Sequence, residues 1–279
     1  MAYIALNQVE HYYEWICEGR PQTKPVVVFL HGWGGSARYW RSTAHAIKQD
    51  FDCLLYDLRG FGRSAPSPTA DDISAIGSLE SFAEDLLLLL DELSLTKVYL
   101  CAHSMGASVA LYFLNRYPQR VSKAILTCNG CFEYARRAFK AFHTFGGYVV
   151  AFRPAWLGRI PLAPQVFMSR FLKQEIPYED KRDFLQDFLK ADHMTALGTL
   201  QASVSKHATE TMPAAFSKLR VPTLLISGAC DRITPAELGR KAAAMSPAIQ
   251  YQEISQTGHF PMLEDRQTYL AAISDFLQA

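Results

Sequence analysis

Ala102-His103-Ser104-Met105-Gly106 connects two apolar stretches of the chain, residues 97–101 before it and residues 107–114 after it. The first stretch has the β-branched and apolar content of a buried strand, and the second continues as a helix. Ser104 is therefore expected on a sharp strand-to-helix turn, where the residues two before and two after it must be small. Alanine and glycine occupy those positions, so the stretch predicts a nucleophile elbow that presents the Ser104 hydroxyl.

A glycine-rich turn lies much earlier in the chain. His31-Gly32-Trp33-Gly34-Gly35 directly follows the apolar strand candidate at residues 26–30. Glycines after a strand let backbone N–H groups turn inward toward a reacting oxygen. We expect the N–H groups of Trp33 and Met105 to form an oxyanion hole for a tetrahedral intermediate.

Two loops near the end of the chain supply a carboxylate and an imidazole. Asp231 follows one apolar strand candidate, and His259 follows a second, shorter one. His259 is the expected general base toward Ser104, and Asp231 is the expected group that orients the imidazole ring. Glu133 is a rival acid, but no comparable loop motif surrounds it.

The order Ser104, Asp231, His259 along the chain is the order of the α/β-hydrolase triad. The chain resembles the α/β-hydrolase superfamily, in its branch of lid-bearing serine esterases and lipases. The resemblance covers almost the whole chain and rests on five ordered segments, at residues 31–35, 57–64, 102–106, 228–231 and 258–259. It implies an α/β fold: a mainly parallel eight-stranded sheet with helices on both faces and a helical lid inserted after strand 6.

Strand and helix candidates alternate along most of the chain, which is typical of a parallel sheet covered on both faces. An antiparallel hairpin is expected at residues 2–17. Helices are expected at residues 38–49, 79–93, 104–117, 235–245 and 264–277. The alternation breaks once, where residues 131–218 are helical and irregular with several prolines. The predicted organisation is a first core segment at residues 1–130, a helical cap or lid at residues 131–218, and a second core segment at residues 219–279.

Composition narrows the class of partner. The 279 residues are 49% hydrophobic and carry a formal net charge of +1 at pH 7. Without a run of lysine or arginine, the chain shows no electrostatic footprint for nucleic acid or for an anionic membrane surface. It also shows no secretory signal and no apolar stretch as long as the ~18 residues of a membrane span, which favours a cytoplasmic location. The expected partner is a small-molecule substrate, while peripheral membrane contact through the lid and the oligomeric state stay open.

Six cysteines lie mostly within strand candidates, where a thiol packs as a small apolar side chain, as is usual in a reducing compartment. Cys128 and Cys131 have CxxC spacing, but they close a strand candidate and have no second pair to complete a zinc site. The turn at residues 32–35 lacks the Lys-Ser/Thr of a phosphate loop. The sequence therefore implies neither a metal nor another cofactor.

Aromatic side chains crowd the first forty residues of the predicted lid. An aromatic lid over a serine nucleophile favours an apolar substrate group, because such a pocket gains affinity by excluding water from hydrocarbon. His103 is expected to pack or hydrogen-bond behind the site. The residues expected to contact substrate are His31, Trp33, Phe139, Phe142, Trp156 and Phe260.

The resemblance implies a serine hydrolase that cleaves carboxylic esters through an acyl-enzyme. We expect an ester with a long apolar moiety, such as a lipid or isoprenoid ester. The same triad also serves carbon-carbon bond hydrolases of ring-fission products and cofactor-free perhydrolases. Ring-fission products carry carboxylates and would require arginine in the lid. A small-molecule receptor built on the same fold is a further alternative of a different class.

Overall fold

The computed structural model describes residues 2–67 and 76–278. Within these ranges the chain forms one eight-stranded sheet, which begins with the antiparallel hairpin expected from the sequence. The strands are Ala2–Leu6 (β1), Val9–Ile16 (β2), Val26–Leu30 (β3), Asp52–Tyr56 (β4), Val98–His103 (β5), Val121–Thr127 (β6), Thr223–Gly228 (β7) and Ile249–Ile254 (β8).

The strand order across the sheet is β1-β2-β4-β3-β5-β6-β7-β8. β2 pairs antiparallel with β4, and the pairings from β4 across to β8 are all parallel. The carboxyl ends of β3, β5, β7 and β8 therefore share one edge of the sheet, which is where ligands bind in open parallel sheets. The expected α/β fold with a mainly parallel eight-stranded sheet is confirmed.

Helices cover both faces of this sheet. The α-helices in the described residues are Arg41–Ile47 (α1), Leu79–Glu92 (α2), Met105–Arg116 (α3), Arg136–Ala151 (α4), Ala163–Met168 (α5), Tyr178–Lys190 (α6), His193–Ser203 (α7), Lys206–Ser217 (α8), Ala236–Ala243 (α9), Pro261–Glu264 (α10) and Arg266–Gln278 (α11). Helices α4 to α8 all lie between β6 and β7, and residues 131–218 are called the helical insertion below. In the described part of the chain, no helix is long and apolar enough to cross a membrane.

Alternate side chains of the central strands enter two separate apolar cores. On β3, Val28 and Leu30 pack into the core that includes α2 and α3, whereas Val27 and Phe29 pack into the core that includes α1 and α11. Successive side chains of a strand point to opposite faces of the sheet. All four side chains are completely buried, and this two-sided burial explains why the strand is apolar at every position.

The helix expected at residues 38–49 starts in a tighter form. The chain first makes a 3-10 helix at Ala37–Trp40, and α1 begins only at Arg41. Ser36 Oγ accepts the Arg38 N–H, and the carboxylate of Asp57 accepts the N–H at the start of the 3-10 turn. These side chains bind the first N–H groups of the segment and hold its first turn in the tighter geometry.

The helix expected at residues 264–277 is broken at Asp265, whose φ of −134° and ψ of 73° are not helical. Glu264 ends α10, and its carboxylate accepts the N–H groups of Gly258 and Phe260 in the preceding loop. Asp265 then accepts an N–H from the first turn of α11. At this break the carboxylate of Glu264 therefore binds the loop before α10, and the carboxylate of Asp265 binds the first turn of α11.

A buried carboxylate on α6 ties the helical insertion to the core. Asp187 accepts a 2.6 Å hydrogen bond from Ser36 Oγ and lies 3.0 Å from the Arg38 guanidinium. Burial raises the pKa of Asp187 to about 6, and the Ser36 hydrogen bond and the Arg38 charge offset this only in part. The pKa of an aspartate in an unfolded chain is about 3.9. Ionisation of Asp187 therefore costs stability as pH rises through this interval.

Asp187→Asn is expected to remove this pH dependence. The raised folded-state pKa means that the carboxyl carries no ionisation cost below about pH 4 and its full cost above about pH 6. Relative to the parent protein, the variant should gain about 2–3 kcal/mol in the free energy of unfolding between about pH 4 and about pH 7. Urea unfolding of both proteins across this range measures the difference, and parallel stability curves would contradict it.

Candidate active site

Ser104 lies between β5 and α3 in a backbone conformation that few residues with a side chain adopt. Its φ is 54° and its ψ is −120°, so the surrounding structure must hold it in a strained region. The Ser104 N–H donates a 2.8 Å hydrogen bond to the Thr127 carbonyl at the end of β6, and the Ser104 carbonyl accepts the Ala107 N–H. The residue therefore sits on a sharp strand-to-helix turn with its side chain partly exposed.

The glycine two residues after Ser104 permits a close approach of two backbone segments. A Cβ at Gly106 would lie 2.4 Å from the His31 carbonyl oxygen, which is closer than real Cβ contacts. Because the opposing atom belongs to the backbone, no side-chain rotation can relieve the clash. The small residue expected at this position is therefore required by the turn itself.

Gly106→Ala is expected to lower the free energy of unfolding by about 1–3 kcal/mol through overpacking. Gly147→Ala is the matched control, because Gly147 also lies in a helix but a Cβ there would meet no atom within 4 Å. The control should gain about 0.5–1 kcal/mol, since alanine favours a helix over glycine. Urea denaturation measures both changes. Equal stability of Gly106→Ala and the parent would show that the two backbones do not approach so closely.

Ser104, His259 and Asp231 form a continuous chain of hydrogen bonds. Ser104 Oγ lies 3.0 Å from His259 Nε2, and His259 Nδ1 lies 2.7 Å from Asp231 Oδ2. The Nδ1–H group donates to the carboxylate, which leaves Nε2 to accept the serine hydroxyl proton. His259 and Asp231 are buried, so their pairing is shielded from water behind the partly exposed hydroxyl.

Backbone contacts set the orientation of both members of the pair. Asp231 Oδ1 accepts the N–H groups of Ile233 at 2.7 Å and Thr234 at 3.1 Å. These bonds fix the rotation of the carboxylate and leave Oδ2 for the imidazole. The His259 N–H donates a 2.7 Å hydrogen bond to the Phe171 carbonyl. The helical insertion therefore helps to hold the imidazole loop in place.

A second buried network lies behind the His259 ring. The Tyr39 hydroxyl accepts the Gly32 N–H and donates to His103 Nδ1 at 2.9 Å. His103 Nε2–H in turn donates to the His259 carbonyl at 2.7 Å. Burial, and after it the nearness of His259, lowers the pKa of His103 well below its ordinary value. His103 is therefore neutral, and the expectation that it hydrogen-bonds behind the site is confirmed.

The loop at residues 31–35 passes close to Ser104. A Cβ at Gly32 would lie 3.1 Å from Ser104 Cβ, and Trp33 lines both cavities that reach Ser104. Met105 is the first residue of α3, and the first N–H groups of a helix have no acceptor within the helix. The Gly32-Trp33 segment and the start of α3 therefore both lie close to Ser104.

Two cavities meet at Ser104. The larger has a volume of about 130 Å³ and is covered by side chains of α4, α7 and α8. The smaller has a volume of about 60 Å³ and lies beside His259, where Phe171, Phe184 and Phe260 line it. Among the described residues, neither lining includes a lysine, an arginine or a carboxylate. The serine hydroxyl therefore opens on both sides into neutral and largely apolar space.

The residues expected to contact substrate are brought together only in part. Trp33 lines both cavities, Phe142 lines the larger one, and Phe260 lines the smaller one. Phe139 is buried against another aromatic ring within the helical insertion. Trp156 leaves 54% of its surface exposed on a 3-10 helix. The expectation that Phe139 and Trp156 contact substrate does not fit these positions, because neither side chain lines a cavity at Ser104 in the described structure.

His31 is completely buried and holds backbone groups. Its Nδ1–H donates to the Gly32 carbonyl at 2.8 Å, and its Nε2 accepts the Leu58 N–H at 2.9 Å. Burial lowers the pKa of His31 and keeps the ring neutral. The expectation that His31 contacts substrate is wrong for this geometry, because both ring nitrogens are used to anchor the loop at residues 31–35 to the segment after β4.

His103, Cys128 and His259 are three buried residues whose possible metal-ligand atoms all lie within 4.8 Å of one another. Both nitrogens of each ring already take part in hydrogen bonds. Burial raises the pKa of the Cys128 thiol well above its ordinary value, so the thiol stays protonated. These donors do not fit a metal ion, since coordination would break the bonds that hold the site. Cys128 and Cys131 are both free thiols.

The rival acid lies elsewhere. Glu133 is exposed and pairs with Lys241 at 3.2 Å on the protein surface. The acid that contacts the imidazole is Asp231.

Three residues at the site carry no motif in the sequence: Tyr39, Asn129 and Glu264. Asn129 Nδ2 donates to the Ser104 carbonyl at 3.1 Å and to Ser108 Oγ at 2.8 Å. Each of the three binds groups from distant parts of the chain, so no local pattern marks it. Asn129 lies two residues after the end of β6, the strand that pairs with β5.

A known protein family and named relatives match most of the chain. The family described as alpha/beta hydrolase fold matches residues 25–266 of the chain. The RutD protein of Klebsiella pneumoniae (strain 342), provisionally named a carbamate hydrolase, is 28% identical over 262 residues, which cover 91% of this chain and 92% of that protein.

Two solved structures share the fold along the whole chain. The enol-lactonase from Burkholderia xenovorans LB400 has a TM-score of 0.81 at 20% identity, and the alignment covers 100% of each chain. The esterase EaEST from Exiguobacterium antarcticum has a TM-score of 0.81 at 20% identity, and the alignment covers 99% of each chain. At such identities the likeness concerns the fold alone. Because the family match spans most of the chain, this protein belongs to the alpha/beta hydrolase family.

Proposed function

We propose that this hydrolase is a serine hydrolase that cleaves a neutral carboxylic ester through an acyl-enzyme. The observation that carries the proposal is the hydrogen-bond chain from Ser104 Oγ through His259 to Asp231, with distances of 3.0 Å and 2.7 Å. A serine hydroxyl is a weak nucleophile unless an adjacent base removes its proton. The imidazole is within reach of that proton, and the carboxylate holds the required tautomer.

The proposed reaction has two halves. In the first, His259 Nε2 takes the hydroxyl proton while Ser104 Oγ attacks the ester carbonyl, and the N–H groups of Trp33 and Met105 bind the oxyanion. Asp231 stabilises the imidazolium, which then gives its proton to the departing alcohol. In the second half, His259 deprotonates a water that attacks the acyl-enzyme, and the acid leaves with Ser104 restored.

Cavity size supports a small substrate. The volumes of about 130 Å³ and about 60 Å³ at Ser104 are below the roughly 300–1,000 Å³ of typical drug-sized sites. Such volumes hold a short acyl or alcohol group next to Ser104. We therefore propose an ester with short apolar groups on both sides of the scissile bond, in place of the long chain expected from the aromatic content of the insertion.

Cavity charge supports a neutral substrate. A ring-fission product would bring a carboxylate, which needs a cationic partner when it leaves water. The described cavity linings contain no arginine or lysine. Arg153, within the insertion, is already used by the carbonyls of Val150, Phe188 and Ala191. These observations favour an ester over the carbon-carbon bond alternative.

The test is a series of p-nitrophenyl esters from acetyl to palmitoyl, assayed with the parent protein and the Ser104→Ala variant. We expect kcat/KM to be highest for the short acyl groups and to depend on Ser104. A rate that rises toward palmitoyl would contradict the size argument. Release of one equivalent of p-nitrophenol without turnover would favour the receptor alternative. Formation of a peracid from peroxide at a higher rate than hydrolysis of the ester would favour the perhydrolase alternative.

A matched pair of variants on α4 tests which cavity sets the size limit. Phe142 lines the larger cavity, whereas Phe145 lies on the same helix and does not line it. Phe142→Ala should extend the accepted chain length by opening the cavity, while Phe145→Ala should leave the chain-length profile unchanged. Identical profiles for the two variants would show that the larger cavity does not hold the substrate.

A carbamate is the second candidate substrate. Ser108, Asn129 and Thr234 bring polar side chains to the larger cavity, where an N–H group of the substrate could find an acceptor. The similarity to RutD adds to this reading. Comparing kcat/KM for a small carbamate with that for the ester of the same shape discriminates the two classes. A preference for the carbamate that is lost in Ser108→Ala would favour the second candidate.

A further inference from the structure

Large apolar side chains are exposed on one section of the helical insertion. Nine of the eleven exposed large hydrophobic residues in the described structure lie between residues 134 and 166, and the other two are Tyr3 and Tyr178. Five of the nine, Phe145, Tyr148, Phe152, Leu162 and Val166, leave 67–72% of their surface exposed. Soluble proteins expose single apolar residues routinely, but a concentration of this kind marks an interaction surface.

The stretch of chain that carries these exposed residues, residues 131–173, is strongly basic. Residues 131–173 contain seven lysines and arginines and one acidic residue, Glu133, which gives a formal net charge of +6. Because the whole chain has a net charge of +1, the remainder carries −5. Among the described residues, Arg137 and Lys140 form no ion pair. Positive charge is therefore concentrated where the apolar side chains are exposed.

Basic and aromatic side chains share one face of α4. Exposed positions recur along this helix with a spacing of three and four residues, which places them on one face. An open depression of about 510 Å³ runs along that face, and its lining is Arg137, Lys140, Ala141, Thr144, Phe145 and Tyr148. The basic residues occupy the start of the face and the aromatic residues occupy its end.

We propose that this outer face of α4 docks on the surface of an anionic phospholipid bilayer. A helix that lies in a bilayer surface buries an apolar face at the acyl boundary and places lysine and arginine against anionic headgroups. Long basic side chains can reach the headgroups while aromatic rings enter the interface. The charge of the section matches such a surface, and this complementarity favours the bilayer over a second copy of the equally basic face.

Docking would place the catalytic cavity next to the lipid phase. Phe142, on the same helix, lines the larger cavity at Ser104. The surface proposal nevertheless rests on the exposed residues and their charge, and it does not depend on the ester proposal.

Sedimentation with phospholipid vesicles tests the proposal. The full chain should bind vesicles that contain phosphatidylglycerol, bind vesicles of phosphatidylcholine alone much more weakly, and be released by high salt. Arg137→Glu/Lys140→Glu should weaken the partition coefficient about 25-fold or more, since each basic residue is worth about a factor of five. Phe145→Ser/Tyr148→Ser should weaken it by at least about tenfold through lost apolar burial.

The matched controls are Lys97→Glu and Tyr3→Ser, which change an exposed cation and an exposed aromatic outside the section. Both should bind like the parent, and all variants should keep the parent rate on a water-soluble ester. Equal binding of the parent and both double variants would overturn the proposal, as would no binding to anionic vesicles. Self-association that needs Phe145 and Tyr148, without vesicle binding, would identify the face as an interface between copies instead.

Discussion

Ser104→Ala is expected to lower kcat for a short-chain p-nitrophenyl ester by about 10⁴-fold or more. The variant keeps His259 and Asp231 but removes the oxygen that forms the acyl-enzyme, and the effects of such groups are not additive because they act as one unit. The residual rate should be the rate that oxyanion stabilisation and binding alone supply. Steady-state kinetics of the purified variant measures the loss, and a fluorophosphonate probe should label the parent at Ser104 and leave the variant unlabelled.

Ser108→Ala is the matched control for this substitution. Ser108 lies one helical turn further along α3, lines the same cavity and bonds to Asn129. Ser108 has no contact with His259 that would activate its hydroxyl. The Ser108→Ala variant should therefore cleave an ester at a rate within about tenfold of the parent rate, because it loses only a single neutral hydrogen bond. A comparable loss in both serine variants would contradict the assignment of Ser104 as the nucleophile.

Asp231→Asn is expected to lower kcat by about 10⁴-fold while leaving the fold intact. The asparagine oxygen can keep the hydrogen bonds that Oδ1 accepts from Ile233 and Thr234, because these donors require an acceptor. The amide NH₂ then replaces Oδ2 and faces His259 Nδ1. The imidazole must accept there, so its proton moves to Nε2, and Nε2 can no longer accept the proton of Ser104.

The loss should therefore fall on kcat with little change in thermal stability. Glu133→Gln is the matched control, since it neutralises the rival acid at the surface pair with Lys241. That variant should retain the parent rate. Near-normal activity of Asp231→Asn would contradict its role, and a large loss in Glu133→Gln would transfer the role to the other acid.

The groups buried around the His259 imidazole are neutral except for the carboxylate of Asp231. The neutral His103 ring and the protonated Cys128 thiol lie close to it without adding charge. Asp231 is the anion in contact with the imidazole. In the proposed reaction, the imidazolium of His259 would therefore meet the charge of Asp231 in a buried setting, where electrostatic interactions are stronger than in water.

Local patterns predicted the fold and the elements that carry the site. The apolar strand candidates and the alternation with helices are strong signals, because a parallel sheet buries both faces of each strand. Helix boundaries were less predictable. The break at Asp265 depends on Glu264, whose carboxylate binds N–H groups of the loop before α10, and no pattern within the helix records that contact.

Contacts between distant segments account for the other differences. The sequence predicts His31 as a residue that contacts substrate. In the structure its Nε2 accepts the N–H of Leu58, so this nitrogen is not available to a substrate. Phe139 and Phe142 are indistinguishable as aromatic residues of one amphipathic helix. The position of α4 against its neighbours decides that Phe142 lines the cavity and Phe139 does not.

The sequence by itself determined the α/β hydrolase family and the elbow at Ser104, and it predicted Asp231 and His259 as the partners of that serine. These features depend on small residues, strand ends and chain order, which are local properties. Only the tertiary structure decided the volumes and the charge of the cavities, the network through Tyr39 and His103, and the face of α4 that is left exposed. Such features arise where segments far apart in the chain pack together, so their physical cause is contact and not local pattern.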